Sequence, residues 1–255
     1  MKQTIVMIHG MCSTNSHWAN YKQFFEDHGY RCVTPVLRFH DMHPDAEPDP
    51  ALGTTGLLDY TEDLEKEIKQ IDDTPILMGH SMGGLLAQIL TTKIPVKALV
   101  LLTPASPAGI MALKYSVIKT FSDIMFKWKF WKKPFLFSLK TMKYGVINLL
   151  PPDEQEKIYR TFVYESGLAG FQIGFWTFDF SGAAKVDKKK ITCPVLVIGA
   201  QKDKITPVSV VKKVAKRYKT VSTYKEFSDH AHWVLSEPGW EDITGYIASW
   251  LNDNV

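Results

Sequence analysis

Apolar residues along the chain gather into short runs separated by turn-forming residues. Runs at 4–8, 30–34, 75–78, 98–102, 194–198 and 222–227 each end in Gly, Pro or polar turn signals. The first, third, fourth and fifth are continuously apolar rather than alternating, the pattern of parallel strands covered on both faces. Between the runs the spacing becomes helical, over 18–27, 57–70, 84–92, 207–218 and 238–251. This strand–helix alternation predicts an α/β fold: a doubly wound, mostly parallel sheet of about six strands with helices on both faces. Right-handed crossovers would then place a ligand site at the carboxyl ends of the strands.

One stretch breaks the rhythm. About ninety residues separate the run ending at Leu102 from the run opening at Pro194, and they are rich in aromatics. Residues 116–144 read as helical, and 153–165 as a further helix after the Pro151-Pro152 break. A connection this long, with apolar content of its own, predicts an inserted helical subdomain. The expected division is a core of residues 1–104 and 191–255 and an insertion of residues 105–190. The Pro- and Asp-rich piece 41–50 reads as a surface loop.

Composition changes this picture little, but its distribution matters. The chain has 255 residues, 45% hydrophobic and 22% charged, with a net charge of +3. That suits one soluble domain with an elaboration and gives no reason to expect a nucleic-acid partner. Residues 111–145 alone hold eight lysines and one acid, a balance of +7, so the rest of the chain sums to −4. Cys12, Cys32 and Cys193 have neither disulfide-framework nor metal-site spacing. The opening apolar run is too short for a signal peptide, and no run approaches the ~18 apolar residues of a membrane span. A cytoplasmic protein is the expectation.

The candidate chemistry centres on Gly79-His80-Ser81-Met82-Gly83. A G-x-S-x-G pentapeptide is not rare by itself, so its setting decides. An apolar run, Pro75-Ile76-Leu77-Met78, leads in, and a helical pattern from Gly84 leads out, the strand–turn–helix context of a nucleophile elbow. A serine hydroxyl is a poor nucleophile at neutral pH and needs a base oriented by a third group. In the order Ser, acid, His, the acid is Asp203, just past the run at 194–198. The base is His232, after the last strand run, with His230 as its competitor and Asp229 as a weaker candidate acid. The backbone amides of Met82 and Met11 are the expected oxyanion donors, with Gly10 letting the chain turn towards the substrate.

Together these residues make the sequence resemble the α/β-hydrolase superfamily over nearly its whole length. The resemblance rests on His9-Gly10 after the opening strand, Gly79–Gly83, Gly199 with Asp203 and Pro207, and His232 with Glu237-Pro238 behind it. It implies that the insertion is a cap over the active site. The chain opens at what would be the third strand of that family, and the cap carries no subfamily signature. His9-Gly10-Met11-Cys12 with Trp18 is similar to the methylesterase and hydroxynitrile lyase branch. The lyases carry Thr in place of Gly10 and Lys in place of Trp233, which favours an esterase. Ser81 argues against dehalogenases and epoxide hydrolases, which use Asp at the elbow.

The expected function is therefore ester hydrolysis of the carboxylesterase or lipase type through Ser81, Asp203 and His232, on a small-molecule ester with an apolar acyl group. Gly10, His80 and Trp176 are the candidate substrate contacts. No cofactor or metal is expected; the His40-Asp41-Met42-His43 stretch reads as polar surface. Alternatives are a thioesterase or carbon–carbon hydrolase with the same triad, or a non-catalytic ligand receptor. The aromatic and basic segment Trp128-Lys129-Phe130-Trp131-Lys132-Lys133 has three readings: a cap helix packed inward, a lid for apolar substrates, or a membrane-surface contact.

Overall fold

The computed structural model describes residues 2–255. Six parallel strands form one sheet: β1 (Thr4–Ile8), β2 (Arg31–Val33), β3 (Ile76–His80), β4 (Ala98–Leu102), β5 (Val195–Ala200) and β6 (Ser222–Phe227). Their spatial order is β2-β1-β3-β4-β5-β6, so the winding reverses at β1. Ile8 pairs with Gly79, which brings the turns that follow β1 and β3 side by side at the carboxyl edge.

The continuous apolar runs follow from cover on both faces. Ile5, Met7, Met78 and Val100 face one core, with α1 (Ala19–Asp27) and α9 (Trp240–Asn254) packed on it through Tyr21, Phe25, Ile243 and Ile247. Val6, Ile8, Leu77 and Leu99 face the other, covered by α2 (Leu57–Ile68), α3 (Met82–Thr91) and α8 (Val208–Arg217). Strand β6 lies at the sheet's edge and is only half-buried along its length, which suits its mixed sequence.

Between β4 and β5 the chain builds α4 (Tyr115–Met125), α5 (Leu139–Gly145), α6 (Pro152–Tyr159) and α7 (Gly167–Gly174), with a small antiparallel pairing of Pro134–Phe135 and Glu165–Ser166. The helix expected over 116–144 is broken. It stops at Met125, Lys129 takes a left-handed φ of 54°, and a 3-10 turn covers Phe130–Lys132. Lys133 is extended because Pro134 follows it. Ser138 then opens α5, its Oγ accepting from the Thr141 N–H at 3.3 Å. The second expected helix, 153–165, likewise ends at Tyr159. Beyond it the Val163 N–H donates to the Cys12 carbonyl at 2.9 Å, tying the insertion to the turn after β1. No helix among the described residues is long and apolar enough to cross a membrane.

Candidate active site

Ser81 joins β3 to α3 with φ 52° and ψ −118°, a conformation a non-glycine residue holds only when its surroundings enforce it. Those surroundings are hydrogen bonds on both sides of the residue. Its N–H donates to Leu102 O at 3.0 Å, and its carbonyl accepts from the amides of Gly84 at 3.0 Å and Ala105 at 2.9 Å. The flanking glycines are required by contact. A Cβ on Gly79 would lie 2.3 Å from Gly83 O, and one on Gly83 would lie 2.1 Å from Ile8 O. Any side chain at either position would push α3 off the sheet.

The loop after β5 delivers Asp203. Its Oδ1 accepts from the amides of Ile205 at 2.7 Å and Thr206 at 2.8 Å, and its Oδ2 accepts from Thr206 Oγ1 at 2.7 Å. The loop after β6 brings His232 Nδ1 to 2.9 Å from the same Oδ2, and His232 Nε2 to 3.0 Å from Ser81 Oγ. All three side chains are buried. Burial pushes the Asp203 carboxyl up, but His232 beside it and the Thr206 donors prevail and hold it below the usual carboxylate range. An ionised Asp203 calls for a proton on Nδ1, which leaves the Nε2 lone pair towards the serine hydroxyl. His80 Nε2 donates to His232 O at 2.8 Å and fixes the loop from below. Burial, and then His232, lower His80 to about 3, so it acts as a neutral donor.

The competing residues fall elsewhere. His230 Nδ1 lies 2.9 Å from Glu237 Oε1, which also accepts from the Ala231 N–H at 2.8 Å. That pair braces the histidine loop and makes no contact with Ser81. Asp229 is exposed and pairs with Lys202 at 3.2 Å. His40 is buried against Glu165, His43 is exposed, and no group of three or more potential metal ligands occurs among the described residues.

Around the turn after β1 the structure reveals an acid that sequence reasoning passed over. Met11 N–H carries no hydrogen bond among the described residues, and Met82 N–H is a first-turn helix donor without an intrahelical acceptor. Cys12, between Met11 and Ser13, takes a left-handed φ of 57°. Its N–H donates to Glu165 Oε2 at 3.2 Å, with Glu165 wholly buried. Tyr60 Oη donates to Glu165 Oε1 at 2.8 Å, and His40 Nε2 lies 3.2 Å from Oε2. Burial works against a charge on His40, but the Glu165 carboxylate outweighs it and raises the histidine. Glu165 sits in a stretch that reads as helix, so its sequence carries no sign of this role. Cys12 itself is an inert thiol: burial, then Glu165, raise it well above its ordinary value.

Ser81 opens onto a cavity of about 170 Å³. Met11, His80, Met82, Trp176 and His232 line it, together with Phe121, Phe137 and Met142 from the insertion; Gly10 does not. Gly10 instead lies against the elbow, where a Cβ would meet Ser81 Cβ at 3.0 Å. The walls carry no Asp, Glu, Lys or Arg side chain. Such a surface accepts an apolar chain and offers nothing to hold a charged one.

The model of the alpha/beta hydrolase family matches residues 5–240. The chain belongs to this family. No curated protein matches the sequence. Many solved structures share the fold at low identity. A methylesterase from Arabidopsis superposes with a TM-score of 0.74 at 12% identity, over 98% of this chain and 99% of that one. Tomato methylketone synthase I, complexed with 2-tridecanone, gives 0.73 at 14% identity over 100% of both chains. A pyrethroid hydrolase from Sphingobium faniae gives 0.69 at 16% identity, over 99% of this chain and 98% of that one. At these identities the likeness extends to the fold.

Proposed function

We propose that this member of the alpha/beta hydrolase family cleaves carboxylic ester bonds through an acyl-enzyme. The observation that carries the reading is the chain Ser81 Oγ, His232 Nε2, His232 Nδ1, Asp203 Oδ2, with separations of 3.0 and 2.9 Å, at the mouth of an apolar cavity. His232 takes the Ser81 proton as Oγ attacks the ester carbonyl, and gives it to the departing alcohol. Asp203 keeps the imidazole in the working tautomer and offsets its charge while it is protonated. The amides of Met11 and Met82 hold the tetrahedral oxyanion. Water, deprotonated by His232, then attacks the acyl carbonyl; the proton returns to Ser81 and the acid leaves.

Residues 105–190 act as the cap over this site, and Trp176 and His80 shape its substrate end, while Gly10 packs behind Ser81 rather than on the substrate. The apolar lining favours an uncharged acyl or alkyl chain. One similar fold is named a methylesterase, a second a pyrethroid hydrolase, and a third holds 2-tridecanone, which supports the same substrate class. The three free cysteines suit a cytoplasmic location.

A p-nitrophenyl ester series from acetate to palmitate, run beside acyl-CoA thioesters, tests the reading. Turnover should rise with chain length into the middle of the ester series and be weak on the thioesters, whose charged carrier the cavity does not match. Turnover of acyl-CoA alone would make the chain a thioesterase. Stoichiometric, single-round binding without turnover would make it a receptor. A fluorophosphonate should label Ser81 and no other serine.

A further inference from the structure

The insertion carries more exposed apolar surface than the rest of the molecule, and it lies at the cavity rim. Met111, Leu113 and Ile118 line the cavity yet are 51%, 71% and 46% exposed. Just past α4, Phe126 and Trp128 stand 85% and 78% exposed. Phe178 and Phe180 follow the cavity residue Trp176 and are 67% and 100% exposed. Trp131 continues the surface, its ring 6.0 Å from Phe171, which stacks on the cavity residue Phe175 at 5.6 Å. A water-facing monomer keeps such groups apart or covers them.

Charge is laid over the same segment. Lys114, Lys119, Lys127, Lys129, Lys132 and Lys133 are all exposed, and none of them is in a salt bridge among the described residues. The one acid in 111–145, Asp123, is taken up by Ser138 and Thr141. Burial cannot neutralise these lysines, and a second copy of this face would set lysine against lysine. Lys119 and Lys129 lie over the rings of Tyr144 and Trp128, at 4.0 and 5.6 Å, but rings do not neutralise them. What complements aromatic rings interleaved with ammonium groups that have no carboxylate partner is a surface that is apolar inside and negative outside. Indole and phenyl rings settle at the headgroup–acyl boundary, while lysine stems lie along the apolar part with their charges at the phosphates.

We infer that the exposed face of Met111–Trp131 docks on an anionic lipid bilayer, with the cavity mouth turned towards the lipid. The inference rests on this surface and not on the esterase reading. If both hold, an apolar ester passes from the bilayer into the cavity without crossing water.

Sedimentation of the whole protein with vesicles separates the two ideas, because it needs no catalysis. The protein should pellet with vesicles of three parts phosphatidylcholine to one part phosphatidylglycerol, and stay in solution with phosphatidylcholine alone. Raising the salt to about 0.5 M should release most of it, since the Debye length falls from ~10 Å at 0.1 M towards ~3 Å at 1 M. Lys127→Glu, Lys129→Glu and Lys132→Glu together should weaken the partition coefficient on the order of 10²-fold. Phe126→Ser with Trp128→Ser should weaken it about tenfold or more at constant salt, since both rings leave the interface. All five positions lie outside the cavity lining and face water, so an unchanged melting temperature serves as the folding control. Ser81→Ala should pellet like the parent. Equal behaviour with both vesicle types, or pelleting untouched by both sets of substitutions, overturns the proposal. Concentration-dependent dimerisation abolished by Phe126→Ser and Trp128→Ser would assign the face to a second copy and overturn it as well.

Discussion

Strand β3 and helix α4 treat their apolar residues in opposite ways. Ile76, Leu77 and Met78 are all fully buried, whereas α4 leaves Tyr115 76% and Ile118 46% exposed and buries only Thr120 and Ile124. Around β3 the tolerance is set by backbone: atoms of Gly79, Gly83 and Ile8 approach so closely that no Cβ fits. Around α4 it is set by solvent. One region holds Ser81 in a conformation its backbone neighbours enforce, and the other leaves apolar side chains in water. The two touch at the cavity, where Ser81 supplies the floor and Phe121 and Met125 part of the wall.

The sharpest way to test the division is to remove chemistry from the rigid half. Ser81→Ala should lower kcat on a short ester by about 10⁴-fold or more with the melting temperature almost unchanged, because it removes an oxygen and disturbs no packing. Gly83→Ala attacks the frame instead. Its methyl would overlap backbone that cannot step aside, so a loss of more than about 4 kcal/mol, or failure to fold, is expected in urea unfolding. Gly174→Ala, at the end of α7 in the insertion, meets nothing within 4 Å and should stay within about 1 kcal/mol of the parent. Comparable losses at the two glycines would mean that the insertion is as tightly built as the elbow.

These contrasts also explain how far the sequence could be read. The runs at 4–8, 75–78 and 98–102 are strands because nothing but a two-sided burial accounts for unbroken apolar residues, and the structure places strands there. Order and spacing single out Ser81, Asp203 and His232 because each lies just past a strand, and the structure brings these three side chains within hydrogen-bond distance in turn. The break of 116–144 has a sign in the sequence, Pro134, which cannot sit inside a helix. The stop near Thr161 has none: it depends on packing of the insertion against the turn after β1, and helical periodicity contains no record of contacts 150 residues distant, such as Cys12 with Glu165.

Glu165 is where the two regions are joined, and it offers an intermediate effect. Glu165→Gln keeps the volume but replaces one acceptor oxygen with a donor, so either the Cys12 amide on Oε2 or the Tyr60 hydroxyl and Ser166 amide on Oε1 lose their acceptor. With the neighbouring Met11 amide less firmly placed, kcat should fall about 10- to 100-fold while KM changes little. A trifluoromethyl ketone, which mimics the oxyanion, should lose affinity in the same proportion. A fall in melting temperature with kcat preserved would restrict Glu165 to a structural role. The His40 partner adds a pH dependence. Its folded value is raised, so its stabilising contribution is complete below the unfolded value of about 6.5 and disappears as pH rises through the folded value. The gap in melting temperature between the parent and His40→Gln should therefore be widest near pH 5.5 and narrow on the alkaline side.

The smallest effect is expected where the exposed apolar surface is largest. Phe126→Ser and Trp128→Ser remove two big rings, yet both rings already face water. Stability comes from area taken out of water on folding, so groups that stay in water contribute little to it. Urea unfolding should place each variant within about 0.5 kcal/mol of the parent. Met142→Ala, 1% exposed and part of the cavity wall in the same insertion, should cost about 2–5 kcal/mol. Two aromatic residues whose loss leaves the fold unmoved are free to serve a contact outside it. If instead either substitution costs as much as Met142→Ala, those rings are packed in solution, and the contrast between a closed core and an open face fails at its clearest point.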